Sequence, residues 1–258
     1  GPDSSGFAIY RDKIEDEFKV TLHSSSKNLN WNEVEKLINS KFNLSIKISK
    51  ISSHAVFKTK LEPEEIRKFI NSNFKDINIT SIGKSLEIYK EVGMPLDVLE
   101  QFNVINMIGS HMIGHTRMAT ESAVTTEGAH PFNTGSDLCL VHNGSLSNHN
   151  NLRRQLIKQG KTFDSYNDTE VAAGYISSNL SKNKSLEKTL KNCLTNLDGF
   201  YTFIAGTHNG FAVLRDEIAC KPAVIAENSE YVAVASEFQA MAHLPNVNKA
   251  KIYEPEPG

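Results

Sequence analysis

Two His-Asn-Gly triplets, one arginine and one aspartate are the residues in this sequence whose types and settings could do chemistry. His142-Asn143-Gly144 follows an apolar run, and Ser145-Leu146-Ser147 and a helix pattern come next, so no second strand returns to make a hairpin. A side-chain amide beside an unhindered glycine N–H at a strand end suits the holding of an oxyanion. A purely structural role fits the same three residues equally well. His208-Asn209-Gly210 lies between two apolar alternations, where Asn-Gly is a favoured two-residue turn because both positions tolerate positive φ; it reads as structural. Arg117 ends the run Gly114-His115-Thr116-Arg117. Its guanidinium fork suits bidentate capture of a carboxylate, and a surface ion pair is the competing reading. Asp168, in Asn167-Asp168-Thr169-Glu170, opens a helix, either as its cap or as the partner of a substrate ammonium. A carboxylate fork, an ammonium site and oxyanion donors together form a recognition set for an α-amino acid undergoing acyl transfer.

Other chemistries find less support. Five of the nine histidines fall between His111 and His149, but His111 and His115 sit in a strand-like setting, where four residues span roughly 13 Å, too far to share one ion. Neither an HExxH pattern nor a close carboxylate–histidine set is present, so no metal and no other cofactor is expected. No glycine-rich phosphate loop stands at a strand-to-helix junction. Cys139, Cys193 and Cys220 are widely spaced and odd in number, which points to a reducing, cytoplasmic setting without a disulfide framework; all three read as small packed thiols.

The balance of 28 Lys+Arg against 30 Asp+Glu, a formal charge of -2, argues against a general nucleic-acid binder. With 39% hydrophobic residues in 258, the chain has enough apolar material for a core and is no disordered linker. No apolar run approaches the roughly 18 residues of a membrane helix. The length suits one large domain, or one domain carrying a smaller insertion.

The elements that must position these residues fall into two textures. Within residues 13–82, rich in Lys, Asn, Ser and Ile, Phe18, Val20 and Leu22 alternate as a strand. Asn30 with Glu33 caps a helix whose stripe is Val34, Leu37, Ile38 and Phe42. Alternations at Leu44, Ile46 and Ile48, and at Ala55, Phe57, Thr59 and Leu61, follow. Pro63 then opens a second helix with the stripe Ile66, Phe69, Ile70 and Phe74, and a strand over 77–82 closes the set. Strand-helix-strand twice over predicts a small inserted ferredoxin-like unit. Its lysines, Lys41, Lys47, Lys50, Lys58 and Lys60, read as a solvated face. Beyond Gly83, strands are expected over 86–88, 105–117 and 137–141, with helices over 96–102, 147–159, 168–180 and 185–197. Strands over 200–206, 211–214, 223–226 and 231–235 complete the chain. Strands separated by consecutive helices argue for an α+β layered domain.

Four motifs in one order resemble class II glutamine amidotransferase domains: Gly1-Pro2-Asp3-Ser4-Ser5-Gly6, His115-Thr116-Arg117-Met118-Ala119-Thr120, His142-Asn143-Gly144 and Asp168-Thr169-Glu170. Arg215-Asp216, Lys221-Pro222 and Ala235-Ser236-Glu237 resemble the family's late strands. The likeness covers residues 1–12 and 83–258. It implies the four-layer αββα fold of N-terminal-nucleophile hydrolases, and hydrolysis of glutamine with ammonia passed to a synthase. Carried over by position, Arg117 binds the glutamine carboxylate, Asp168 the amino group, Asn143 and Gly144 the oxyanion, and Thr120 lines the pocket. Where some members have histidine next, this chain has Glu121. The subfamily most resembled is the stand-alone amidotransferase subunit of glutamate-synthase-like and methylglutamate-synthase-like complexes.

The family's nucleophile is an N-terminal cysteine whose α-amine serves as base, placed a few tens of residues ahead of the Gly-Pro-Asp element. The resemblance therefore places the nucleophile ahead of Gly1 and predicts that the polypeptide as given does not hydrolyse glutamine alone. The rival expectation is a non-catalytic relative retained as a scaffold or amino-acid-binding module.

Overall fold

A strand with no solvent face organises the first part of the chain: β1 (Ser4–Tyr10) is buried at all seven positions. It lies between β6 (Leu86–Val92) and β7 (His111–Arg117), antiparallel to both, in the order β6-β1-β7. Phe7 and Ile9 pack with Tyr89, Val98 and Phe102, the last two supplied by α3 (Pro95–Gln101) and its C-cap. Tyr10 stacks on His111 with ring centroids 4.2 Å apart. The computed structural model describes residues 1–258 apart from Lys27, 119–122, Ser181 and 183–184, with Thr134 described by its backbone alone.

The expected strand over 105–117 forms only in its second half. Asn103 turns left-handed at φ 52°, residues Val104–Asn106 make a single 3-10 turn, and pairing begins once Ser110 N–H reaches Tyr10 O at 2.8 Å.

Residues 13–82 build strand, helix, strand, strand, helix, strand: β2 (Phe18–Ser24), α1 (Trp31–Phe42), β3 (Ser49–Ile51), β4 (His54–Thr59), α2 (Pro63–Asn73) and β5 (Ile77–Gly83). The sheet order is β3-β4-β2-β5 with antiparallel pairs throughout. Val34 and Ile38 of α1 and Ile66 and Ile70 of α2 bury against Val20, Leu22 and Phe57. Burying each such side chain is worth about 1.5–3 kcal/mol. Asn30 caps α1, accepting from Asn32 N and donating to Glu33 Oε1.

One expected strand is absent. The alternation at Leu44, Ile46 and Ile48 is not paired, because α1 side chains occupy its backbone. Asn39 bonds both the N–H and the C=O of Ile46, at 2.7 and 3.1 Å, and Glu35 accepts from Ile48 N at 2.8 Å. Pairing starts at Ser49 instead.

Four further strands, β8 (Phe132–Gly135), β9 (Leu138–Leu146), β10 (Gly199–Thr207) and β11 (Gly210–Arg215), form a sheet in the order β11-β10-β9-β8. Sequence patterning missed β8, whose four residues alternate too briefly to register. The chain divides into two compact units, one of Gly1–Val141, Thr162–Ala173 and Ala205–Phe211, the other of His142–Lys161, Gly174–Ile204 and Ala212–Gly258. The second contains α4 (His149–Lys158), α6 (Leu186–Asn196), and a sheet of β12 (Val224–Glu227), β13 (Val232–Ala235) and β14 (Lys251–Tyr253) in the order β13-β12-β14. Ser185 caps α6, accepting from Lys188 N. Helix α5 (Asp168–Leu180) begins in the first unit and ends in the second.

Candidate functional site

Arg117 is the last residue of β7, opposite Ser4 of β1, and its carbonyl accepts from Asp3 N at 3.1 Å. The residue is 8% exposed, so this arginine is no surface ion pair. Burial lowers the guanidinium pKa from its ordinary value, while Asp3 and Asp168 act in the opposite direction. Both carboxylates favour the charged guanidinium, and one of them is the aspartate singled out by sequence. Arg117 Nη1 also donates to Ala123 O at 3.4 Å.

Asp168 opens α5, but the cap is its neighbour. Asn167 Oδ1 accepts from Thr169 N at 2.8 Å, while Asn167 Nδ2 donates to Gly128 O at 3.2 Å. Glu170 reaches back to Asp164 N, Ser165 N and the Ser165 hydroxyl. Asn167 thus caps α5 and Glu170 holds the loop before it, while Asp168 Oδ1 accepts from the Thr169 hydroxyl at 3.3 Å. His130 bonds Thr169 Oγ1 through Nε2 at 2.8 Å, and its ring lies 4.1 Å from that of His115. His130, packed on His115, thus supports the start of α5 beside Asp168. Among the described residues no set of three His, Cys, Asp or Glu is placed to hold a metal ion.

The amide-and-glycine group belongs to the second unit. β9 continues straight through His142-Asn143-Gly144 to Leu146, past the end expected from sequence. Gly144 has φ 144°, and a Cβ there would fall 2.0 Å from Phe200 O and 2.9 Å from His142 Nε2. Only glycine fits. Across from it, Gly199 at φ 142° would place a Cβ 2.1 Å from Ser145 O. Two glycines thus let β9 and β10 approach at this point. The β10 side is fixed by Asp216, which accepts from Tyr201 N at 2.8 Å and donates its own N–H to Tyr201 O at 2.9 Å. His142 is buried and meets Phe203 edge to face at 5.0 Å. Asn143 is half-buried and Gly144 exposed, so the amide and the glycine stand where a small molecule can reach them.

A family model described as a glutamine amidotransferase domain matches residues 115–243, a span holding Arg117, Asn143, Gly144 and Asp168. The chain is 51% identical over 258 residues to the glutamine amidotransferase-like protein GlxB of Rhizobium meliloti (strain 1021), covering 100% of this chain and 85% of that protein. The chain belongs to the class II glutamine amidotransferase family. The amidophosphoribosyltransferase of Methanocaldococcus jannaschii is 32% identical over 168 residues, 64% of this chain and 36% of that protein. The solved glutamine phosphoribosylpyrophosphate amidotransferase of B. subtilis, complexed with ADP and GMP, superposes with a TM-score of 0.57 at 21% identity. That match covers 98% of this chain and 46% of the solved chain, and it establishes the fold as the mixed α/β, antiparallel-sheet type of that amidotransferase.

Of the pocket residues expected of this amidotransferase, Thr120 and its neighbour Glu121 lie outside the described residues. The cysteines divide two ways. Cys139 and Cys193 are buried, and burial pushes their thiols up to about 11 and about 12. Protonated thiols are poor nucleophiles. Cys220 corrects the sequence reading, being exposed rather than packed. It stands in the turn that Arg215 holds through Ala219 O at 2.7 Å and Lys221 O at 3.1 Å. The late Arg215-Asp216 and Lys221 motif residues are thus structural braces. Sequence reasoning also overlooked Asn167 and Gly128, which position the start of α5; the Asx-x-Thr spacing was the available signal.

Proposed function

We propose that this amidotransferase domain binds L-glutamine and directs its hydrolysis to glutamate and ammonia. Arg117 takes the α-carboxylate, Asp168 the α-ammonium, and Thr120 lines the pocket. The Asn143 side-chain amide and the Gly144 N–H receive the oxyanion formed when a thiolate attacks the side-chain amide carbon. Collapse of that adduct expels ammonia and leaves a glutamyl thioester, which water converts to glutamate and free thiol. The thiol is assigned to the N-terminal cysteine that the family resemblance implies; Cys139 and Cys193 are buried, with their thiols held protonated. Released ammonia is assigned to a partner synthase of the glutamate-synthase-like class. The fold is read as the four-layer αββα sandwich, formed by residues 1–12 and 83–258 and interrupted by a ferredoxin-like insertion at 13–82. The β3-β4-β2-β5 order of that segment supports the insertion.

The observation that carries the reading is the buried guanidinium of Arg117 answered by Asp3 and Asp168, with the helix cap supplied by Asn167. A guanidinium fork and a carboxylate that act on one another suit an α-amino acid. Titration of L-glutamine and L-glutamate into the chain tests it: both bind, and Arg117→Ala or Asp168→Asn weakens each at least tenfold. Unchanged affinity in both variants would reject the assignment. Glutamate release by the cysteine-bearing protein separates the enzyme from an amino-acid-binding module, which would bind equally and release nothing.

A further inference from the structure

A cavity of about 310 Å3 opens in the first unit, far in sequence from every residue assigned above. Its walls include Trp31 and Leu29 as apolar faces, the hydroxyls of Ser24 and Ser53, and two side chains of opposite charge, Lys50 and Glu91. A cavity of this size lies at the lower end of the range, about 300–1,000 Å3, that holds small molecules. Among the described residues, neither Lys50 nor Glu91 forms an ion pair with another side chain. Burial disfavours the Glu91 charge, but hydrogen bonds from Thr126, Ser53 and Val92 N outweigh it and hold the carboxyl below the usual range. The wall thus offers one fixed anion and one cation. A simple anion would face Glu91 unpaired, and a simple cation would face Lys50 unpaired. A small zwitterion satisfies both, with the indole and leucine covering its apolar part.

Glu91 also looks the other way. One oxygen accepts from Ser53 Oγ at 2.7 Å on the cavity side, and the other accepts from the Thr126 hydroxyl. Thr126 begins the turn closed by Ala129 N–H to Thr126 O at 3.2 Å. Within that turn, Gly128 O receives Asn167, and a Cβ on Gly128 would lie 3.7 Å from Arg117 Nη1. Hydrogen bonds at Glu91 and at Asn167, joined by the covalent turn 126–128, therefore connect the cavity to the start of α5 and pass close to Arg117.

We propose that the cavity binds a small zwitterion of the α-amino-acid class, its carboxylate on Lys50 and its ammonium on Glu91, and that Glu91 and Thr126 transmit occupancy to the Arg117 group. The binding site stands independently of the glutaminase reading, and only its regulatory consequence rests on it.

Calorimetric titration of each of the twenty amino acids into the Arg117→Ala chain isolates this cavity from the proposed glutamine site. At least one binds, and adding Lys50→Ala or Glu91→Gln weakens it tenfold or more. Lys50 is exposed, so its variant folds even where Glu91→Gln does not. If Arg117→Ala itself fails to fold, the wild-type chain shows two binding events and Lys50→Ala removes one. Absence of any amino-acid binding at a second site, or binding indifferent to Lys50→Ala, overturns the proposal. For the path, saturating the cavity shifts glutamate affinity at the Arg117 group by about fivefold or more, and Thr126→Val abolishes the shift. An unchanged glutamate affinity overturns the regulatory half alone.

Discussion

The same three residues occur twice in this chain and are held to different standards. His142-Asn143-Gly144 and His208-Asn209-Gly210 both end on a glycine at positive φ, 144° and 136°. Around Gly144 a Cβ would meet Phe200 O, Tyr201 Cα and His142 Nε2, all within 2.9 Å; around Gly210 nothing lies within 4 Å. The first triplet runs through the middle of a nine-residue strand, while His208 and Asn209 merely join β10 to β11. The oxyanion role proposed for the first triplet thus rests on the backbone approach that surrounds it. The tripeptide alone does not confer it.

The largest test of that contrast is Gly144→Ala. The new methyl meets backbone on one side and must also hold an unfavourable φ, two penalties of about 1–3 kcal/mol each. Denaturant unfolding should show a loss of about 4 kcal/mol, and glutamate release should vanish. If Gly144→Ala were as mild as a surface change, the close approach of Phe200 would not constrain this turn.

Asn143→Ala comes next and separates chemistry from scaffold. Loss of one oxyanion donor costs about 10²–10³-fold in kcat, or about 2.7–4 kcal/mol of barrier. KM and the unfolding midpoint should stay near wild type, because Asn143 is half-buried and stands beside the close approach without forming it. Asn209→Ala should leave kcat alone. Equal effects of the two asparagine variants on kcat would remove Asn143 from the oxyanion site.

How far sequence reached can be seen in the same two triplets. Patterning separated them because one is followed by a strand and the other by a helix, and that decision needs only local information. It placed Arg117 at the end of a strand and Asp168 at the start of a helix, where they are found. It misjudged the turn by one position: Asn209-Gly210 reads as the two-residue turn, yet His208 and Asn209 join the strands and Gly210 already opens β11. It also ended β9 five residues early, since Asn and Gly look like strand breakers until Gly199 is seen facing them. The lost strand at 44–48 has the same origin. Its alternation is real, but Asn39 and Glu35, several residues away, take the donors that a partner strand would need. Asn167 rather than Asp168 is the cap, which the Asx-x-Thr spacing signals but which needs the backbone to decide between the two neighbours. Residue type reports chemistry well, and it reports poorly who else has claimed a hydrogen bond.

The histidines give a smaller test. His142 is 5% exposed, packed on Phe203 and beneath Gly144, whereas His208 is exposed. Truncating a packed ring leaves a cavity, so His142→Ala should cost roughly 2 kcal/mol and lower Tm by about 4–8 °C. His208→Ala should stay within about 0.5 kcal/mol. Should both leave Tm unmoved, the packing beneath the first triplet contributes nothing to holding it.

Gly210→Ala is the sharpest control for Gly144→Ala. Its φ of 136° is strained for alanine, but no atom opposes the methyl. Conformational strain alone should therefore appear, about 1–2 kcal/mol in unfolding, with kcat and KM unchanged. The difference between Gly210→Ala and Gly144→Ala then measures what the neighbouring strand adds once the backbone angle is held constant. A difference near zero would mean that positive φ alone explains both glycines. A difference of about 2 kcal/mol or more assigns the remainder to the approach of Phe200 and Tyr201, the feature that sets the first triplet apart.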